Sequence, residues 1–156
     1  MNPGVPKTLM QHLIRWVIST GAFSARVNTV LQSILDTEIT PELVPTVGDA
    51  KPQSTQDTIG PYNLHDFFLY YYMRFGFTPS KIYRLAKIAF AGTYEAAFIL
   101  KWLKTFCRRF FAQQFKRSCL PDGPKVGSVA VSPRGDLRMP SDACATLWME
   151  ELNTLS

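Results

Sequence analysis

Apolar residues recur every three or four positions over most of the chain, which is the spacing of one face of an α-helix. A first helix is expected between Pro6 and Gly21, because proline suits the first turn of a helix and glycine its end. A second is expected after Ser24, a residue type that favours helix starts. Its apolar positions follow the helical period closely: Val27, Val30, Leu31, Ile34 and Leu35.

The same pattern predicts four more helices in the second half of the chain. One runs from Leu64 to Phe75, and the next starts at Thr78-Pro79 and ends by Gly92. A longer helix is expected from Thr93 to about Gln114, with Leu103, Phe106 and Phe110 facing inward. Ser141 is expected to cap a last helix.

Prolines and glycines interrupt the helical pattern in two places, residues 36–61 and 118–140. We interpret the first interruption, residues 36–61, as a mobile loop that closes over a ligand. In the second interruption, Ser128 to Ser132 alternates weakly and could form one short strand. The prediction is a mainly α fold with about six helices, two long loops and little or no sheet.

Composition places these helices in a globular protein. The 156 residues are 46% apolar and 19% charged, so wholesale disorder is excluded. No apolar run approaches the roughly 20 residues that a spanning helix needs. The first residues lack the basic start and apolar stretch of a signal peptide, so we expect a cytoplasmic protein without membrane partners.

Charge is distributed unevenly along the chain. The segment from Asp36 to Asp66 carries six acidic residues and one lysine, whereas Lys101 to Arg138 carries nine basic residues and two acids. A basic C-terminal third favours a phosphate-bearing partner, such as a nucleotide, a nucleic acid or an anionic surface.

Metal chemistry is not indicated by the sequence. The three cysteines form no CxxC pair, and the two histidines, His12 and His65, lie far apart. Neither a zinc site nor a disulfide framework is therefore expected, and we predict no metal-binding residues.

Three short segments could meet an anion. Lys116 and Arg117 stand at the end of a predicted helix, although cations there also suit the helix dipole. Thr40 lies beside acids and could meet a phosphate, or belong to an ordinary turn. Lys7 at a helix start suits an anion, or is simply solvated.

Six segments, in this order, resemble the synthetase part of glutamine-dependent NAD synthetases, best the long bacterial form. They are Gly4–Leu9, Ile34–Pro45, Gln53–Tyr62, Gln114–Ser118, Gly123–Val126 and Ser132–Asp136. The resemblance implies a ligase in which ATP adenylates the nicotinate carboxylate of deamido-NAD. Ammonia made from glutamine then displaces AMP to give NAD.

The resemblance also implies roles for single residues. Lys116 would be catalytic, approaching the nicotinate carboxylate and the adenylate, with Arg117 supporting it in binding deamido-NAD. Lys7 and Thr40 would bind ATP phosphate, and residues 41–58 would be the mobile loop that follows Thr40. ATP and Mg²⁺ would serve the parent enzyme, with neither held tightly by this chain.

Set against that family, residues 1–156 would be the C-terminal portion of the synthetase domain. The fold would be the helical remainder of an adenine nucleotide alpha-hydrolase-like α/β domain without its parallel sheet. The glutaminase domain and the pyrophosphatase loop would be absent. We therefore expect the chain not to make NAD alone, and to need the missing N-terminal half. A homodimer is the first expectation for its assembly.

The alternatives are a basic helical module that binds nucleic acid and a protein-interaction module without ligand chemistry. We favour the ligase, with no nucleic-acid partner. Steeply salt-dependent binding of DNA or RNA would instead indicate the nucleic-acid module.

Overall fold

The structure is a computed structural model that describes residues 4–37 and 58–155. These residues form seven α-helices and no strand, which confirms the mainly helical prediction. The helices are α1 (Lys7–Ser19), α2 (Ala25–Asp36), α3 (Tyr62–Phe75), α4 (Pro79–Ala89), α5 (Ala96–Ala112), α6 (Gln114–Ser118) and α7 (Thr146–Asn153). Most of the predicted mobile loop, residues 38–57, lies outside the described residues, and so does Thr40.

The described residues divide into two units. The hairpin unit comprises residues 6–37 and 58–62, and the core unit comprises residues 4–5 and 63–155. In the hairpin unit, α1 and α2 pack against each other. Gly21 has a positive φ of 64° between them, a conformation that glycine adopts without steric cost.

Helix α5 forms the centre of the core unit. Its buried positions recur at helical spacing, as predicted: Ile99, Leu103, Phe106, Cys107 and Phe110. Against them pack Leu64 and Phe68 of α3, Ile82 and Ala86 of α4, and Leu152 of α7. Each of these helices turns one apolar face inward, so the core depends on three helices meeting α5.

A side chain of α7 accepts a hydrogen bond from a backbone N–H at the start of α4. The backbone N–H of Ser80 donates to Oε1 of Glu151 at 2.8 Å. Thr78 stands at the N-cap of α4 and Pro79 follows it, as predicted, but the threonine side chain makes no capping bond. A carboxylate at this end of α4 is favoured by the helix dipole.

Two predicted helix starts are wrong. Helix α5 begins at Ala96 rather than Thr93, because the backbone N–H groups of Thr93 and Tyr94 both bond the carbonyl of Phe90 in a preceding turn. Helix α7 begins at Thr146 rather than after Ser141. The Ser141 hydroxyl instead lies 3.4 Å from that of Ser118.

The segment from Ser128 to Ser132, which the sequence allowed as one short strand, does not form a strand. The backbone N–H of Ala130 donates to Oδ2 of Asp136 at 2.9 Å, so a side chain takes the bond that a neighbouring strand would accept. Within the described ranges, no helix combines the length and apolar character needed to cross a membrane.

Two leucines of α7 provide a matched test of this core. Leu152 is fully buried, whereas Leu147 is 78% exposed. We expect Leu152→Ala to lower the free energy of unfolding by about 2–5 kcal/mol, because it leaves a cavity beside α5. Leu147→Ala should change it by less than about 0.5 kcal/mol. Urea denaturation of both variants measures this, and equal effects would contradict the described packing of α7.

Candidate functional site

The predicted catalytic lysine lies on α6, the short helix that directly follows α5. Gln113 separates the two helices with a φ of −98° and a ψ of 13°, so the backbone departs from regular helical geometry there. Lys116 is exposed on α6, while Gln114 is fully buried on the same helix. The short helix therefore has one side anchored in the core unit and another open to solvent.

Gln114 uses both ends of its buried amide. Its Nε2 donates to the carbonyl oxygen of Met139 at 2.9 Å, and its Oε1 accepts from Nε of Arg117 at 2.7 Å. A buried amide without such partners is costly, so these bonds hold α6 against the segment that precedes α7.

Arg117 is turned toward its own chain. Its guanidinium lies 4.1 Å from the ring centroid of Phe110, and an N–H of the same group donates to the Phe110 carbonyl. Burial lowers the pKa of Arg117, and the nearby Tyr72 partly offsets this. These contacts favour a supporting role for Arg117 over direct contact with a substrate.

Lys116 has a different environment from Arg117. Its Nζ lies 5.9 Å from the ring centroid of Phe115, which is itself 57% exposed. Among the residues that the structure describes, no acidic side chain forms an ion pair with Lys116. Its ammonium group therefore keeps its three donors for an anion.

The loop after α6 contains three further basic residues, and two of them, Lys125 and Arg134, have acidic partners. Nζ of Lys125 lies 2.7 Å from Oδ2 of Asp136, and Arg134 forms an ion pair with Asp122. Arg134 also donates to the carbonyl of Leu120. The pairs line a cavity of about 290 Å³. The basic surplus of this region is thus partly neutralised within the loop.

Lys7 lies in the hairpin unit as the first residue of α1. Pro6 precedes the helix at its N-cap, one position earlier than the first-turn placement that the sequence suggested. Nζ of Lys7 donates to the hydroxyl of Tyr62 at 3.2 Å and lies 4.8 Å from the centre of that ring. Lys7 is exposed and Tyr62 is 8% exposed.

Sequence reasoning missed Gln114 and Tyr62 as residues that support the two lysines. Gln114 carried a usable signal, because it lies four positions after Phe110 on the apolar face of the helical pattern. A polar residue on such a face needs a hydrogen-bond partner. Tyr62 carried no such signal, since its partner lies 55 positions away in sequence.

The described residues include no group of three histidine, cysteine, aspartate or glutamate side chains placed to hold a metal ion. Cys107 is buried, and its burial raises the pKa of its thiol to about 12. This thiol is therefore a core side chain and a poor nucleophile.

Comparison with known proteins confirms the resemblance seen in the sequence. The chain is 48% identical over 170 residues to the glutamine-dependent NAD(+) synthetase of Mycobacterium leprae, a match that covers 97% of this chain. It is 49% identical over 171 residues to the synthetases of the same name from Mycobacterium bovis and Mycobacterium tuberculosis, which covers 98% of it. No known family model matches the chain.

These matches cover 25% of each relative, so the chain spans about a quarter of the length of the curated proteins that it resembles. The aligned stretch of 170 positions is also longer than the chain of 156 residues. The Mycobacterium leprae protein therefore carries residues within the matched region that this chain lacks.

The buried amide on α6 can be tested against its neighbour. Gln114→Leu should lower the free energy of unfolding by about 1–3 kcal/mol, because it leaves the Met139 carbonyl and the Arg117 Nε without their partner. Gln113→Leu is the control, and it should have a much smaller effect because that side chain is partly exposed. Thermal denaturation of the two variants checks this, and a stable Gln114→Leu protein would contradict it.

The ion pair between Lys125 and Asp136 is expected to depend on pH. The hydrogen bond from Lys125 is the main cause that lowers the pKa of Asp136, and the bond from the Ala130 backbone adds to it. The carboxylate contacts should therefore persist below the ordinary aspartate pKa of about 3.9 and be lost as the pH falls through the lowered native value.

The amide resonance of Ala130 reports this titration in NMR spectra. Its midpoint should lie below the ordinary aspartate pKa in the wild type and move upward in Lys125→Met. An unchanged midpoint in that variant would show that Lys125 does not stabilise the carboxylate.

Proposed function

Because the chain is homologous along almost its whole length to glutamine-dependent NAD(+) synthetases, we propose that it forms part of an enzyme that amidates deamido-NAD. It corresponds in this proposal to the C-terminal portion of the synthetase domain. ATP transfers its adenylyl group to the nicotinate carboxylate with release of pyrophosphate. Ammonia derived from glutamine then attacks the adenylate, and AMP leaves as NAD forms.

The observation that carries this proposal is the open ammonium group of Lys116. The reaction brings a carboxylate and a triphosphate together, and cations must reduce their repulsion. Lys116 is exposed without an ion pair among the described residues, while Gln114 anchors the same helix. We assign Lys116 to the nicotinate carboxylate and the adenylate, with Arg117 as its support in binding deamido-NAD.

ATP phosphate is the proposed ligand of Lys7, which is exposed at the start of α1. We assign Thr40 to the same phosphates on the resemblance alone, since it lies outside the described residues. Magnesium arrives with ATP as part of the substrate in this proposal. The described residues contribute a positively charged side chain, that of Lys7, to the phosphate oxygens. The protein is expected to act in the cytoplasm.

The proposal predicts that the 156-residue chain does not form NAD by itself from deamido-NAD, ATP, magnesium and ammonia. Its physical reason is that shielding and orienting an adenylate needs a closed site, to which this chain contributes a portion. The Mycobacterium tuberculosis synthetase is the positive control. Turnover by the chain alone would show that these residues contain a sufficient active site.

The role of Lys116 is tested in a chimera, in which this chain replaces the matching quarter of the Mycobacterium tuberculosis synthetase. We expect Lys116→Met to lower kcat by about 10²–10³-fold, the usual effect of removing one electrostatic stabiliser of a transition state. Lys101→Met is the matched control, because Lys101 is also exposed beside an aromatic ring. Its Nζ lies 5.0 Å from the ring centroid of Trp102. Equal activity of the two variants would refute the assignment.

We also propose that the chain self-associates, with a homodimer as the first expectation. No residue of α1 or α2 is buried, and each helix exposes an apolar stripe at helical spacing. The stripes comprise Leu9, Leu13 and Trp16 on α1, and Val27, Val30 and Ile34 on α2. Exposed apolar surface of this kind marks a contact site.

Trp16 is the most exposed apolar residue of α1, at 62%. Trp16→Glu should shift the protein toward the monomer in sedimentation velocity experiments, because a charge on the stripe opposes its burial. Leu147→Glu, at a leucine of α7 that is 78% exposed, is the control and should leave the distribution unchanged. A wild-type chain that remains monomeric at high concentration would contradict self-association.

A further inference from the structure

Tyr62 contacts the lysine to which the proposed function assigns ATP phosphate. Its hydroxyl oxygen accepts a hydrogen bond from Nζ of Lys7 at 3.2 Å, and the same nitrogen lies 4.8 Å from the ring centroid. Both residues belong to the hairpin unit. The tyrosine is 8% exposed and the lysine is exposed, so a well-packed ring holds a side chain that solvent can reach.

The chain before α3 places this ring. Gly60 has a φ of 87°, which lies in the left-handed region that favours glycine. Pro61 then restricts the backbone directly before Tyr62. The proline therefore restricts the backbone at the start of α3, and the buried tyrosine is a stable support for a flexible partner.

Holding Lys7 in advance matters for binding an anion. A lysine side chain has four flexible methylene groups, and ordering them on binding costs conformational entropy. The ammonium group has three donors, of which Tyr62 uses one and leaves two. A tyrosine hydroxyl that accepts a bond also keeps its own proton to donate. The pair can thus present several donors to one phosphate group.

We propose that Tyr62 is a positioning residue that orients Lys7 toward a phosphate of ATP. The inference rests on the proposed function, in which Lys7 binds that phosphate. The hydroxyl carries the effect, since it forms the hydrogen bond, while the ring supplies packing and a cation–π contact that phenylalanine would keep.

Tyr62→Phe isolates the hydroxyl, because it retains the ring and its burial. The probe is ATP, titrated into the full chain and followed by NMR, which measures weak dissociation constants. We expect Tyr62→Phe to raise the dissociation constant about three- to tenfold, the range of one hydrogen bond. The exchange of the Lys7 ammonium protons with solvent should also become faster in this variant.

Tyr83→Phe is the matched control. Tyr83 is also buried, at 4% exposed, and Nζ of Lys87 lies 4.7 Å from its ring centroid. Its hydroxyl donates to the carbonyl of Ala96 rather than bonding a lysine. Loss of that hydroxyl should leave the dissociation constant of ATP unchanged, and circular dichroism confirms that both variants remain folded.

A double-mutant cycle with Lys7→Met separates the inference from the proposed function. Tyr62→Phe should have no further effect in the Lys7→Met background, which would support positioning through the lysine. If Lys7→Met weakens ATP binding and Tyr62→Phe does not, the inference is wrong and the assignment of Lys7 stands.

Two other results would overturn the inference. An equal effect of Tyr62→Phe with and without Lys7 would show that the hydroxyl acts through the fold. No ATP binding, or ATP binding that is indifferent to Lys7→Met, would overturn the assignment of Lys7 to phosphate together with the positioning role.

Discussion

Burial of one face of α5 is the interaction on which the core unit depends. Leu103 is fully buried and Phe106 is 3% exposed, and helices α3, α4 and α7 each place apolar side chains against this face. Removing such area from water is the dominant favourable contribution to folding. The packing of α5 also fixes the start of α6, because α6 follows α5 after a single residue. The position of Lys116 is therefore determined by the packing of the helix before it.

One buried polar group, the side-chain amide of Gln114, connects the packed core to the candidate site. Gln114 continues the inward face of α5, but its amide must find partners, and it finds them in Met139 and Arg117. These bonds join α6 to the segment before α7 and occupy Arg117 with its own chain. The neighbouring Lys116 remains open to solvent. The two adjacent cations thus differ: Arg117 bonds its own chain, and Lys116 is a candidate ligand for an anion.

Ion pairs within the loop after α6 reduce the positive charge that the basic C-terminal third presents to a partner. Lys125 and Arg134 each have an acidic partner within the same loop, so they contribute less to an extended positive surface than the charge count suggests. Lys116 and Lys7 differ from them: the first has no ion pair among the described residues, and the second bonds a neutral hydroxyl. This difference favours discrete anion contacts over the broad electrostatic surface that binds nucleic acid.

The sequence by itself determined the helical class, the inward residues of α5 and the starts of α2 and α4, because helical period and capping preferences act over a few neighbouring residues. The motif segments likewise indicated the resemblance that the comparisons then found. Tertiary structure decided the starts of α5 and α7. Where the sequence allowed a short strand, it placed a bond between Ala130 and the Asp136 carboxylate. It also supplied the contact of Tyr62 with Lys7. Such contacts join positions that are distant in sequence or depend on side-chain geometry, so no local periodicity encodes them.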